Sequence, residues 1–331
     1  MKIGLCIVGC GKFAANFAES IQPLLQTTDI YFASRDSAKS KRYADMFNGK
    51  GSFGSYEEAA ENPKIQAMYI CTPHHLHLDH TLLAASNGKH VLLEKPIARS
   101  TGEAHQIISA IQKFQVHFMV AENYRFMPSI RLCKQLVDDG QIGKIRVIQI
   151  QQESTYKPVG WRKDLEKNGG GVFIDAGIHK IHFLRYLLGD PLHIFATTPD
   201  QETKANQGED GIVFISKWKT GEVALVYHSW TQSKNRSSHW LSLSGTNGNI
   251  YIEIGKPWLQ LDDGNDVKTL PIAEPLNGLL PMTQEFLCSI DEHRTPEVHG
   301  HEALQDLIIV EKAYESINKS KSLTLTSQQQ A

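Results

Sequence analysis

"KIGLCIVGCGKFAANFAES", residues 2–20, decides the fold of this 331-residue chain. Its first half is an unbroken apolar run of strand length, the pattern of a strand covered on both faces. The run ends in Gly9-x-Gly11-x-x-Ala14, and a helical pattern begins at once with Lys12 and Phe13. Gly9 allows the tight bend, Gly11 lets the backbone approach a pyrophosphate, and Ala14 permits close helix–strand packing. The free N–H groups and positive dipole end of the helix then face the phosphates. A glycine loop alone is weak. Placed between a first strand and an immediate helix, with a second strand at βαβ spacing, it reads as a dinucleotide-binding turn.

Outward from that turn, strands and helices alternate. "IYFAS" (30–34), "AMYICTP" (67–73), "KHVLLEKP" (89–96) and "VHFMVAENY" (116–124) read as strands. "SAKSKRYADMF" (37–47), "LHLDHTLLAASNG" (76–88) and "TGEAHQIISAIQKF" (101–114) read as helices between them. This predicts an α/β fold with a doubly wound parallel sheet over residues 1–123. After Tyr124 the pattern changes. A helix from Pro128 leads to the strand "IRVIQIQQES" (145–154), then to a helix within "GGGVFIDAGIHKIHFLRYLLGD" (169–190). Five alternating strands follow: "LHIFATT", "DGIVFISKW", "EVALVYHSW", "HWLSLSG" and "NIYIEIG", the last two joined by a hairpin at "GTNGN" (245–249). Helices near 283–292 and 301–318 close an α+β domain with a large, mainly antiparallel open sheet over 124–325, and 326–331 reads as a frayed tail.

Composition narrows the function. Lys+Arg 34 against Asp+Glu 36 gives a net charge of −2, with no basic excess for neutralising phosphates, so no nucleic-acid partner is expected. No apolar run reaches membrane-spanning length, and the start does not read as a signal peptide. The five cysteines are odd in number, scattered and without a C-x-x-C pair, which suits reduced thiols in a cytoplasmic enzyme.

Two clusters invite chemistry. Asp175, His179 and His182 fall at i, i+4 and i+7 of one helix, an arrangement open to metal binding, proton transfer or a polar groove. "PHHLHLDH" (73–80) offers four histidines but no acid or cysteine placed to complete a closed metal site, so no metal is expected. Cofactor choice depends on the end of the second strand, where an acid would hold a ribose 2′-hydroxyl. Here that end is Ser34 and Arg35, with Lys39 nearby, while Asp36 is placed to cap the next helix. A hydroxyl and two cations suit a 2′-phosphate, which favours NADP over NAD.

Together "GCGKFA" (9–14), "CTPHHLH" (71–77), "GKHVLLEKP" (88–96), "AENYRFMP" (121–128), "GWRKD" (160–164), "GGGVFIDAGIHK" (169–180) and "GHEALQDLIIVEKAYES" (300–316) resemble the Gfo/Idh/MocA oxidoreductase family. The resemblance runs over essentially the whole chain. "EKP" followed about 80 residues later by D-x-G-x-H is its specific part. It implies a Rossmann domain, an open-sheet domain that forms homodimers or homotetramers, and a catalytic trio falling on Lys95, Asp175 and His179. It places Thr72, Pro73, His74, Glu94 and Asn123 on the cofactor side, with Trp161 and Arg162 from the second domain. Tyr124, Arg125, Tyr156 and His182 are substrate-side candidates. The implied reaction moves hydride between nicotinamide and a secondary alcohol or ketone of a sugar, sugar derivative or cyclic polyol. There His179 handles the hydroxyl proton and Lys95 stabilises charge on oxygen. Redox-assisted glycoside cleavage or elimination is the alternative, and a non-catalytic dinucleotide-binding regulator a third.

Overall fold

The computed structural model describes residues 2–201, 207–231 and 240–325. The chain divides into two compact units, Met1–Glu122 with Leu279–Leu304, and Asn123–Gly278 with Gln305–Ala331. The sequence boundary near residue 123 therefore marks one crossing, but 279–304 belong with the first unit rather than with the second domain expected over 124–325. The physical tie is inside the first unit, where the Val120 N–H donates to the Val298 carbonyl at 2.9 Å. The expected tail 326–331 lies outside the described residues, as does His239 at the start of "HWLSLSG".

In the first unit, β1 (Ile3–Val8), α1 (Lys12–Ser20), β2 (Thr28–Ala33), α2 (Ser37–Met46), β3 (Gly51–Phe53), α3 (Tyr56–Glu61), β4 (Ala67–Ile70), α4 (His77–Ser86), β5 (His90–Glu94), α5 (Thr101–Phe114) and β6 (Phe118–Ala121) alternate. The six strands are parallel in the order β3-β2-β1-β4-β5-β6. That is the dinucleotide-binding order, whose ligands lie at the carboxyl ends of the strands. The unbroken apolar run of β1 is explained by its burial: Leu5, Cys6, Ile7 and Val8 are all at 0 % exposure. On α1 the buried residues are Ala14, Phe17 and Ala18, one helical face. Burying a ring such as Phe17 stabilises by roughly 2–3 kcal/mol. The helix ends at Ser20 and passes into a tighter turn, Gln22–Gln26, that accommodates Pro23.

The second unit begins with α6 (Pro128–Asp138), β7 (Ile145–Glu153), α7 (Leu165–Asn168) and α8 (Ile178–Leu188). Strands β8 (His193–Thr197), β9 (Gly211–Lys217), β10 (Val223–Ser229), β11 (Leu241–Gly245), β12 (Asn249–Ile252), β13 (Trp258–Asp262), β14 (Val267–Pro271) and β15 (Leu323–Thr324) follow. With β7 they form a nine-stranded sheet, β14-β13-β12-β11-β7-β10-β9-β8-β15, antiparallel except for the β7–β10 pair. The β11–β12 hairpin turns through Thr246–Asn247–Gly248, as the "GTNGN" signal requires. No helix among the described residues is long and apolar enough to cross a membrane.

Candidate active site

The glycine turn of the first unit has two differently constrained glycines. Gly9 has φ +97°, and a Cβ there would meet the Cys71 carbonyl oxygen at 2.9 Å. The chain itself requires glycine at that point. Gly11 has φ −93°, open to any residue, and nothing lies within 4 Å of where its Cβ would be. No protein atom explains glycine there, and no side chain caps the N-terminus of α1. An empty cradle beneath uncapped helix N–H groups fits a dinucleotide pyrophosphate. Lys12 and Phe13, the first residues of α1, are exposed beside it, while Ala14 is buried.

At the end of β2, Ser34 is buried and its hydroxyl accepts from the Asp36 N–H at 3.2 Å. Asp36 caps α2 through the Lys39 N–H at 3.1 Å, as expected from sequence. Arg35 is exposed and hydrogen-bonds Tyr56, and Lys39 lies half-exposed on the first turn of α2.

The ends of β4 and β5 are strapped together by a residue that the sequence reading passed over. His77, at 0 % exposure, has Nδ1 2.9 Å from the Pro96 carbonyl and Nε2 3.0 Å from the Thr72 carbonyl. Thr72 Oγ1 lies 2.9 Å from His80 Nδ1. His74 is buried, its ring 5.5 Å from that of His77, and Pro73 is half-buried before it. The run H-H-L-H was the available signal; it argued against a metal site but did not announce a strap between two strand ends. Among the described residues, no group of three or more His, Cys, Asp or Glu is placed to hold a metal.

Lys95 follows β5, half-buried, and the Lys95–Pro96 bond is cis. The Glu94 carboxylate beside it is buried and receives the Tyr69 hydroxyl. Tyr69 in turn stacks on Phe17 at 3.7 Å. Burial pushes the Glu94 carboxyl up to about 7 from 4.5. A raised pKa means that the folded state holds this proton more tightly than the unfolded one, so its contribution to stability is lost as pH rises through about 7. His77 and His90, each pushed down to about 4 by burial, act in the opposite sense below pH 6.5. A Glu94→Gln variant isolates the carboxyl. Its stability relative to wild type is expected to rise by roughly 3 kcal/mol between pH 4.5 and 7.5. Urea unfolding of both proteins across that range checks it.

In the second unit, the stretch 169–180 does not enter its helix directly. Phe173–Gly177 forms a π turn that leads into α8. Such wide turns are frequent at functional sites. Asp175 lies in the turn, 5 % exposed, and its Oδ2 accepts from Arg162 Nε at 2.9 Å. The Arg162 guanidinium also lies over the Trp161 ring, 4.3 Å from a ring centroid. His179 lies in the first turn of α8, and its ring is stacked flat on Tyr124, 4.1 Å apart and 7° from parallel. The structure thus assembles Asp175 with Arg162 and Trp161, and His179 with Tyr124. Asn123, just before Tyr124, is anchored by its side-chain N–H to the Asn277 carbonyl at 2.8 Å.

The other candidates separate. Arg125 lies 3.8 Å over the Tyr186 ring. Tyr156 is exposed and packs near Trp230 at 5.1 Å. His182 is buried at 1 % and pairs through Nδ1 with Asp306 at 2.7 Å, while Arg185 binds the other Asp306 oxygen at 2.7 Å. That network differs from the Tyr124–His179 stack, although both histidines sit on α8. Sequence reasoning missed Lys180. It is 1 % exposed, its ammonium donates to the Ala176 carbonyl at 2.9 Å, and it lies 5.6 Å over the Tyr124 ring. A lysine between apolar helix positions was the only hint.

Comparison with known proteins agrees with both units. Residues 3–122 match the model of an oxidoreductase family with an NAD-binding Rossmann fold, and residues 130–251 match the GFO/IDH/MocA C-terminal domain. The chain is 30% identical over 252 residues to trans-1,2-dihydrobenzene-1,2-diol dehydrogenase of Mus musculus, covering 75% of this chain and 73% of that enzyme. The Xenopus laevis enzyme of the same name is 32% identical over 186 residues, 55% of each chain, so the match spans about half of that relative's length. In fold, an aldose-aldose oxidoreductase from Caulobacter crescentus superposes with a TM-score of 0.89 at 24% identity, covering 98% of this chain and 100% of that one. A Gly-turn unit with the Rossmann strand order, an open-sheet unit with the D-x-G-x-H turn, and family matches to each place this chain in the Gfo/Idh/MocA family of oxidoreductases.

Proposed function

We propose that this protein is an NAD(P)-dependent oxidoreductase acting on a secondary alcohol or ketone of a sugar, sugar derivative or cyclic polyol. The observation that carries the reading is the D-x-G-x-H turn. It fixes a carboxylate against Arg162 and an imidazole flat against Tyr124, so charge and a proton carrier are both held in place. When bound, the nicotinamide supplies the hydride acceptor or donor. The chain supplies the rest. His179 takes the proton of the reacting hydroxyl, and Lys95 places a cation beside the developing alkoxide. Asp175, held by Arg162, orients the hydroxyl. Gly9, Gly11 and the α1 N-terminus take the pyrophosphate, and Thr72, Pro73, His74, Glu94, Asn123 and Trp161 complete the cofactor side. Tyr124, Arg125 and Tyr156 face a polyhydroxylated substrate. His182, tied to Asp306, supports α8 rather than touching substrate.

NADP is favoured over NAD because β2 ends in Ser34 and Arg35 with no acid, and Lys39 follows on α2. Replacing Arg35 by alanine is expected to weaken NADPH binding about tenfold or more, the worth of a charge-assisted hydrogen bond, with NADH affinity within twofold. Fluorescence titration with both reduced nucleotides reads this directly. The half-exposed outer residues of β7 and β10, Val147 and Leu225 among them, support pairing of two chains through the second-unit sheet. The five cysteines, none of them in a disulfide among the described residues, support a cytoplasmic setting.

The test is a panel of cyclic alcohols and ketones, including levoglucosan, myo-inositol, 1,5-anhydro-D-fructose and trans-1,2-dihydrobenzene-1,2-diol, each with all four nicotinamide forms. Reduction or oxidation of the nucleotide with at least one member is expected. No turnover together with no nucleotide binding would sink the reading.

A further inference from the structure

The glycine run ahead of α8 closes on two side chains from distant parts of the second unit. Four consecutive backbone N–H groups, of residues 171 to 174, lead into the π turn. The start of a helix leaves such donors without intrahelical partners. Here all four end on Glu209 and Tyr314. The Val172 N–H donates to the Glu209 carbonyl at 2.8 Å, and the Phe173 N–H to Glu209 Oε1 at 2.9 Å. The Gly171 and Ile174 N–H groups donate to the Tyr314 hydroxyl oxygen at 3.4 and 3.3 Å. That hydroxyl donates its own proton to Glu209 Oε1 at 2.9 Å. Its one donor and two acceptor sites are thereby all used.

The same two residues explain two of the three glycines. A Cβ on Gly170 would lie 2.2 Å from the Tyr314 hydroxyl, and one on Gly171 would lie 2.0 Å from the Glu209 carbonyl oxygen. The Asp175 N–H then bonds the Gly171 carbonyl at 3.2 Å, so the ladder that carries Asp175 and His179 starts from the clamped segment.

We propose that Glu209 and Tyr314 are positioning residues of this enzyme: together they cap the turn before α8 and thereby set the orientation of Asp175 and His179. The catalytic meaning of that orientation rests on the oxidoreductase reading above, whereas the orientation itself does not. Burial pushes the Glu209 carboxyl up to about 7, so the clamp holds a proton at and below neutral pH. The titratable groups on the elements around it are Tyr314, Asp210 and Asp175, the last paired with Arg162.

The test uses the full chain labelled with 15N-histidine. Stacking on Tyr124 shields the His179 ring protons, which gives a spectroscopic signature of its position. Tyr314→Phe and Glu209→Ala are expected to move that signal toward its unstacked value. They should lower kcat by about tenfold or more with KM changed less than threefold, and leave nucleotide affinity within twofold. Glu209→Gln keeps the acceptor oxygen and a donor in place of the protonated carboxyl, so it should rescue both signal and kcat. An unmoved His179 signal in Tyr314→Phe and Glu209→Ala overturns the proposal, as does loss of kcat equal in Glu209→Gln and Glu209→Ala. If wild type turns over no substrate, the enzyme reading fails while the His179 signal still decides the clamp.

Discussion

Replacing Lys95 by alanine is expected to lower kcat by roughly a hundredfold to a thousandfold, with nucleotide affinity and thermal stability nearly unchanged. The size follows from the role proposed for it. A cation aimed at oxygen that becomes negative only in the transition state contributes there and little in the ground state, and removal of one such group costs about 10²–10³ in kcat. Stability should hold because the side chain is only half-buried, at the exit of β5, with the buried Leu92, Leu93 and Glu94 before it and Ile97 after it. Steady-state kinetics with the substrate found by the panel, beside nucleotide titration, checks the prediction. Equal loss of nucleotide binding would move Lys95 from the reacting centre to the cofactor.

Gly11→Val is expected to abolish measurable nucleotide binding, a weakening of about a hundredfold or more, while the protein stays folded. With φ −93° the backbone suits any residue, and a Cβ there has no protein atom within 4 Å. Valine does fill the volume through which a pyrophosphate would reach the N-terminal N–H groups of α1. Gly9→Val makes the opposite case. Its φ of +97° and the Cys71 carbonyl at 2.9 Å put strain into the chain itself, so that variant should lose stability first. Thermal unfolding and fluorescence titration of the two variants, side by side, separate the effects. Loss of stability in both would show that Gly11 is also required by the fold.

The first unit was legible because its strands are buried on both faces and its punctuation is explicit. The run before Gly9, the capping Asp36 and the glycine turn each have a single physical reading, and each is found in place. The second sheet was legible only in part. Strand β14, with four of five residues exposed, carries no apolar face to announce it, and β13 offers only the two buried leucines Leu259 and Leu261. Periodicity also failed for residues 279–304. It reports that one face of a helix is covered, not which body covers it. Within the candidate site, D-x-G-x-H pointed to Asp175 and His179, yet simple helical geometry did not foresee that Asp175 lies in a π turn ahead of the regular helix that carries His179. Lys180, Glu209 and Tyr314 were invisible for a common reason. Their importance lies in what distant segments place beside them, and a polar residue on a helix or before a strand reads by default as solvated.

The return of residues 279–304 makes Asn123–Gly278 an insertion within the first unit, and the chain then goes back to the second unit at Gln305. Val120 and Val298, hydrogen-bond partners at the edge of β6, are separated by 178 positions. During synthesis the parallel sheet is therefore complete in strands long before its covering segment exists. Closing so long a loop adds little free energy, because the cost grows only with the logarithm of length. The order of events is affected more. The first unit must wait, with the face destined for 279–304 uncovered, until that segment has emerged. A chain truncated after Glu122 would stay in that incomplete condition, so the Rossmann unit is not a module that can be cut free at its first boundary.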